Sequence, residues 1–279
     1  MWGSSLRGAL LVFSLVFSLA FGVFLDLESA RALASPRRPL VVLDPGHGGL
    51  NSGATDPFNG GRPEKAYTIL YARALQRRLL ESGTTLQVRL TRERDLALSL
   101  EARLQTANRR GADLFVSLHL NASEPAGAVG HGTFFLTTEV WRRSERQLYR
   151  FASAQRGVLQ NVTSAVPRDR ESREILLDLL HQRAVESARS LAIAVNEGME
   201  RVSPFGTRGV KQANFGVLRG AAIPAIVCEV GFINHPREGP FITSDSGRER
   251  LVEGIKEGIL RYLAERPQTG PLPREPRSR

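Results

Sequence analysis

The chain has 279 residues, enough for one sizeable core and an insertion. Hydrophobic residues make up 42% and charged residues 24%, a globular balance that excludes global disorder. The formal charge is +10, and Lys65, Lys211 and Lys256 are the only lysines, so the cationic side chains are nearly all arginine. A basic surface suits nucleic acid, anionic lipid or an acidic polymer, and arginine-biased codon usage would give the same charge. No zinc finger, RNA-stacking signature or basic helix with interleaved aromatics is present, so nucleic acid is not an expected partner. The single cysteine, Cys228, rules out an intrachain disulfide. It lies in the apolar run "PAIVCEVGF" beside Glu229, where a buried spectator is expected rather than a reactive thiol.

Residues 1–34 read as an export signal or an N-terminal membrane anchor. Arg7 precedes an uncharged, mostly apolar stretch from Gly8 to Leu25, and Ala32 and Ala34 form an A-x-A cleavage pattern. Residues 36–266 then alternate strand and helix signals, which predicts a single α/β domain with a mixed, mostly parallel sheet and helices on both faces. "LVVLD" (Leu40–Asp44) is a continuous apolar strand, followed by a Gly-rich loop over Gly46–Pro63. Glu64–Glu81 reads as a helix, with Tyr67, Tyr71, Leu75 and Leu79 on one face. A strand over Leu86–Thr91 precedes a helix with Ser99 as N-cap and Gly111 past its end. Strands are expected over Asp113–Asn121 and His131–Thr138. The region Glu139–Glu171 is polar, arginine-rich and helix-permissive. A long helix follows from Ser172 to about Val202, with an apolar stripe through Ile175, Leu176, Leu179 and Leu180. A short strand near Phe215–Leu218, the buried strand "AIVCEVGF" and an amphipathic helix over Arg248–Leu263 complete the domain. Residues 267–279 are Pro/Arg-rich and read as a disordered tail.

Three apolar strands end in a polar residue able to bind a metal: His47 just beyond the first, His119 on the third, Glu229 on the last. Ligands of open α/β sheets bind beyond the carboxyl ends of the strands, so parallel strands would bring these side chains together. Glu64 opens a helix after a loop long enough to return to that edge. Two histidines, a carboxylate and an open position make a hydrolytic zinc site, and a second carboxylate is wanted as general base. Glu64 and Glu229 are candidates for those two jobs. Each residue also has a plainer reading. His47 can fill a turn, His119 can be a satisfied core histidine, and Glu64 can answer the helix dipole. Glu229 is the least easily dismissed, because an acid in a buried strand is costly unless paired or metal-bound. His131, among glycines, reads as a surface loop residue; His181 and His235 carry no assigned role.

The ordered set "VVLDPGHGG", Glu64-Lys65, "SLHLNAS" and "VLRGAAIPAIVCEVGFINHPRE" resembles the zinc-dependent N-acetylmuramoyl-L-alanine amidases of bacterial cell-wall turnover, over about Pro39 to Leu263. The resemblance implies that His47, Glu64 and His119 bind Zn2+ and that Glu229 is catalytic. It implies hydrolysis of the amide between N-acetylmuramic acid and L-alanine of the peptidoglycan stem, in wall remodelling or daughter-cell separation, in the periplasm or cell envelope. Residues 139–171 lie where some relatives carry a regulatory helix, which implies a possible activator protein acting there. His235 stands where the family commonly has asparagine. Asp44 is expected to fix the His47 imidazole from behind, and Asn121 to help position substrate. The glycines around His47 are expected to clear a path for the glycan. A wall-binding protein without activity and a zinc peptidase cutting within the stem are the two other readings.

Overall fold

Leu40–Pro45 (β1) is buried at every position, and a strand covered on both faces has to lie inside a sheet. The computed structural model, which describes residues 38–137 and 170–266, places it so. The other strands are Thr55–Asp56 (β2), Arg62–Pro63 (β3), Gln87–Leu90 (β4), Leu114–Asn121 (β5), His131–Phe135 (β6), Thr207–Gln212 (β7) and Ala225–Phe232 (β8). The main sheet runs β4-β1-β5-β8-β6-β7, while β2 and β3 pair separately. β4, β1, β5 and β8 are mutually parallel. β6 is antiparallel to β8 and parallel to β7, so the sheet is mixed and mostly parallel.

The two-residue period of the strands divides the core. Val41, Leu43, Val116, Leu118, Ile226 and Cys228 face one side. There they meet helices Glu64–Leu80 (α1), Arg170–Val202 (α3) and Asp245–Glu265 (α5). Val42, Phe115, Ala225 and Val227 face the other, against helix Leu100–Arg109 (α2) and a 3-10 turn at Gly216–Leu218. Helices thus cover both faces. Tyr67, Tyr71, Leu75 and Leu79 all point into the core, and the Ser99 side chain caps α2 by accepting from the Ala102 N–H.

Four expectations need correction. The strand near Phe215–Leu218 is the 3-10 turn, and the real strand is β7, at the sheet edge. Its sequence TRGVKQ buries little, so it lacks the apolar run that marks an inner strand. Ile175 and Leu179 are exposed, and α3 instead buries Leu191, Ala192, Val195 and Met199 in its second half. His131 is fully buried at the head of β6, with Nε2 near the Asn196 carbonyl at 3.3 Å. A short helix, Glu238–Thr243 (α4), was not expected at all; His235 Nδ1 accepts from the backbone N–H of Arg237 and Glu238 at its start. The signal or anchor at 1–34, the tail at 267–279, and all but the last two residues of the 139–171 insertion lie outside the described residues. Among the described residues no helix is long and apolar enough to cross a membrane.

α3 and α5 approach so closely that their backbones touch at glycines. A Cβ at Gly198 would sit 2.1 Å from the Gly254 carbonyl oxygen, and one at Gly258 would sit 2.5 Å from the Ala194 oxygen. Gly198→Ala is therefore expected to destabilise the fold by about 1–3 kcal/mol, overriding its better helix propensity. Thermal unfolding checks this; a melting temperature that is unchanged or raised would contradict the close contact.

Candidate metal centre

β1, β5 and β8 are neighbours in the sheet and run in parallel, so their carboxyl ends form one edge. His119 and Glu229 are direct register partners across β5 and β8. His47 follows β1, and Glu64 begins α1. The four residues singled out from the sequence thus meet at one place.

The geometry is tightest among three of them. His47 Nε2 lies 3.0 Å from Glu64 Oε1, His119 Nδ1 lies 3.1 Å from the same oxygen, and the two nitrogens are 3.1 Å apart. A tetrahedral ion with ligands at about 2.0–2.1 Å spaces them about 3.3 Å apart, so the triangle is nearly of that size. Among the described residues these three form the group able to hold a metal ion. Both imidazoles keep about 20% side-chain exposure, which leaves the cluster open on one side.

Hydrogen bonding also argues for a cation. Asn51 Oδ1 accepts from the Gly53 N–H at 3.2 Å and lies 2.8 Å from His47 Nδ1, so that nitrogen carries the hydrogen. His47 Nε2 is then an acceptor facing the acceptor Glu64 Oε1. His119 Nδ1 has at most one hydrogen to share between them. Glu64 is itself fixed, taking the Leu120 N–H on Oε1 at 3.0 Å and the Ala54 N–H on Oε2 at 2.9 Å. Burial pushes the Glu64 carboxyl up, but hydrogen bonds and positive charge from His119 and His47 outweigh it when those imidazoles are protonated, and hold the group at about 2. Burial pushes His119 down, yet its bond to Glu64 and the charges of Glu229, Glu64 and Asp44 raise it overall. An anionic pocket around imidazoles is a cation's environment.

Glu229 stands beside the triangle and outside it. Its Oε2 is buried with no hydrogen-bond partner among the described residues. Burial pushes its carboxyl up to about 7; Glu64 adds to the rise, and His119 and His47 oppose it. A buried, unpartnered carboxylate next to an open ligand cluster is suited to exchange a proton with whatever occupies the open position.

The loop that carries His47 is strained and clamped. His47 has φ of 60°, the left-handed region that costs a side chain about 1 kcal/mol or more. Arg103 donates to the Pro45 and His47 carbonyls and to Asp44. Arg92, also buried, donates to the Pro45 and Gly46 carbonyls. Lys65 bridges the Gly49 carbonyl and Asp95, which in turn accepts from the Gly49 N–H. These clamps were not read from the sequence. The available signal was Arg103 on the same helix face as Leu104 and Ala107, where an arginine must satisfy its donors internally.

Two expectations about this loop change. Asp44 does not reach His47; it binds Thr91, Arg103 and Ser117, and Asn51 holds the imidazole instead. The glycines make room for the chain itself. A Cβ at Gly46 would lie 2.2 Å from the His119 ring, and one at Gly48 would lie 2.4 Å from the Leu96 carbonyl oxygen. Asn121, at the end of β5, accepts from the Ala122 N–H through its side chain.

A family model described as N-acetylmuramoyl-L-alanine amidase matches residues 41–261. N-acetylmuramoyl-L-alanine amidase AmiC of Neisseria meningitidis serogroup B is 31% identical over 227 residues, covering 81% of this chain and 53% of its own length. AmiA of Escherichia coli K12 is 28% identical, covering 84% of this chain and 79% of its own. The chain therefore spans about half the length of the first relative and most of the second. The crystal structure of N-acetylmuramoyl-L-alanine amidase from Clostridium difficile 630 superposes with a TM-score of 0.63 at 27% identity, covering 82% of this chain and 99% of that one. With the match running from β1 into α5 and taking in His47, Glu64, His119 and Glu229, the chain belongs to the N-acetylmuramoyl-L-alanine amidase family.

Proposed function

We propose that this protein is a zinc-dependent hydrolase of peptidoglycan, cutting the amide between the lactyl group of N-acetylmuramic acid and L-alanine of the stem peptide. The observation that carries the reading is the triangle of His47 Nε2, Glu64 Oε1 and His119 Nδ1 with 3.0–3.1 Å sides, with Glu229 beside it. The two nitrogens and one carboxylate oxygen suit Zn2+, which when bound lowers the pKa of a ligand water and polarises a carbonyl. Asn51 holds His47 in the tautomer that offers Nε2. Glu229 takes a proton from the attacking water as its oxygen bonds to the lactyl carbonyl carbon. As the carbon–nitrogen bond breaks, Glu229 returns a proton to the leaving L-alanine nitrogen, leaving a lactyl carboxylate and a free amino terminus. Asn121, at the same strand edge, is assigned to substrate positioning.

A substrate in the wall requires export, and residues 1–34 supply the signal or anchor for a periplasmic or envelope location. The test is mass spectrometry of purified peptidoglycan after digestion. Released stem peptides should begin with a free L-alanine amine and the glycan should be intact. Peptides cut inside the stem would replace this reading with a peptidase, and released peptides still bearing muramic acid would reject it in favour of glycan cleavage; no release would leave a wall-binding protein.

A further inference from the structure

Most cations near the site are already used in building it: Arg92, Arg103 and Lys65 hold the His47 loop through backbone carbonyls. Arg208 is different. It is exposed on β7 and forms no hydrogen bond or salt bridge with a described residue. Its side chain nevertheless has a defined course. The Cβ lies 3.6 Å from where a side chain at Gly132 would begin, and the Cγ 3.5 Å from the corresponding point at Gly130. Gly132 is the register partner of Glu229, and directly paired residues of antiparallel strands project to the same face. Arg208 therefore crosses the head of β6 on the face that carries Glu229. Its guanidinium ends 5.3 Å from the centre of the Phe232 ring, three residues beyond Glu229 and beside Asn121 in the register of β5 and β8. Glu238, the nearby acid, is occupied by the N–H groups of Gly130 and Phe232. A guanidinium over an aromatic face keeps its fork of donors for a planar anion such as a carboxylate.

We propose that Arg208 binds a carboxylate of the stem peptide one residue beyond the L-alanine, and so makes the enzyme prefer substrates in which that carboxylate is free. The proposal rests on the amidase reading above. The register shift between His119 and Asn121 sets Glu229 to Phe232 opposite only two residues of β5, a span of roughly 7 Å, and an arginine hydrogen-bonds from about 3 Å. The remaining gap is about one residue of extended chain, the distance from the cut amide to the start of the following residue. In the stem, that residue is a D-glutamate joined through its side chain, which leaves its α-carboxylate available for this contact.

The test uses two N-acetylmuramoyl tripeptides that differ only in that α-carboxyl, free in one and amidated in the other. The wild-type enzyme should cut the free acid with about a tenfold to hundredfold higher kcat/KM, the scale of a hydrogen bond to a charged group. Arg208→Gln should lose that advantage through KM while its rate on the amidated substrate changes little, and Arg208→Lys should recover part of it. Equal cleavage of both substrates by the wild type would overturn the proposal, with no variant needed. Equal losses on both in Arg208→Gln would also overturn it, by reducing Arg208 to a support for Glu238 and the strand edge. Cleavage of neither substrate by the wild type would remove the amidase reading, and this proposal with it.

Discussion

Glu229→Gln is expected to lower turnover by roughly a hundred- to ten-thousand-fold while metal content stays at the wild-type level. Glu229 contributes no atom to the ligand triangle, so removing its charge leaves His47, Glu64 and His119 in place. What is lost is the group that, in the proposed mechanism, takes and returns the proton. Glutamine keeps the size, so the buried strand should remain packed, and because the Oε2 of Glu229 has no partner among the described residues, no hydrogen bond there is broken. Burial already disfavours the charged carboxylate, so the neutral amide should not reduce stability. Elemental analysis, thermal unfolding and rate, measured on one preparation, separate these effects. A variant that turns over normally would remove Glu229 from the mechanism; one that loses its metal would make Glu229 a ligand.

Glu64→Gln should behave in the opposite way, losing metal and activity together. The substitution removes the only anion among the three proposed ligands, and its effect on metal affinity should exceed the roughly ten- to hundredfold cost of losing a second-sphere partner. It should also destabilise the metal-free fold. Both carboxylate oxygens of Glu64 accept backbone N–H groups, from Leu120 and Ala54. Glutamine has one acceptor oxygen, so its NH2 must face one of those donors, at a cost of about 1–3 kcal/mol for the group left unpaired. Metal titration followed by thermal unfolding without metal reads both effects. Wild-type affinity with a normal melting temperature would contradict the ligand assignment.

How much was legible depended on burial. β1, β5 and β8 are inner strands with continuous apolar runs, so their ends, and the residues placed there, could be located from sequence. β7 lies at the edge and alternates polar residues, which is why its position was misread as Phe215–Leu218. The N-terminal part of α3 carries an apolar stripe of which Ile175 and Leu179 are exposed, so helical periodicity alone misplaced these two; the side chains of Leu176 and Leu180 lie outside the described residues. His131 between glycines looked like a loop, but Gly130 and Gly132 flank a strand head that is fully covered. At the site, the residues that the structure brings together, His47, Glu64, His119 and Glu229, could be named from the sequence because few residue types can do that chemistry. The supports were not. Arg92 and Arg103 are two among many arginines, and only their buried contacts with the Pro45–His47 carbonyls distinguish them. Asn51 replaces Asp44 as the partner of His47 because β1 fixes Asp44 toward Ser117 and Arg103, while the turn after His47 brings Asn51 back onto the ring.

The claim on which the rest depends is that a cation at His47, Glu64 and His119 is required for cleavage. It is tested most directly by measuring metal content and peptidoglycan hydrolysis on the same preparation, before chelation, after chelation and after adding Zn2+ back. The protein should hold about one zinc per chain at the start, lose metal and activity in proportion, and recover both. Full hydrolysis by protein shown to contain no metal would contradict the requirement for a cation.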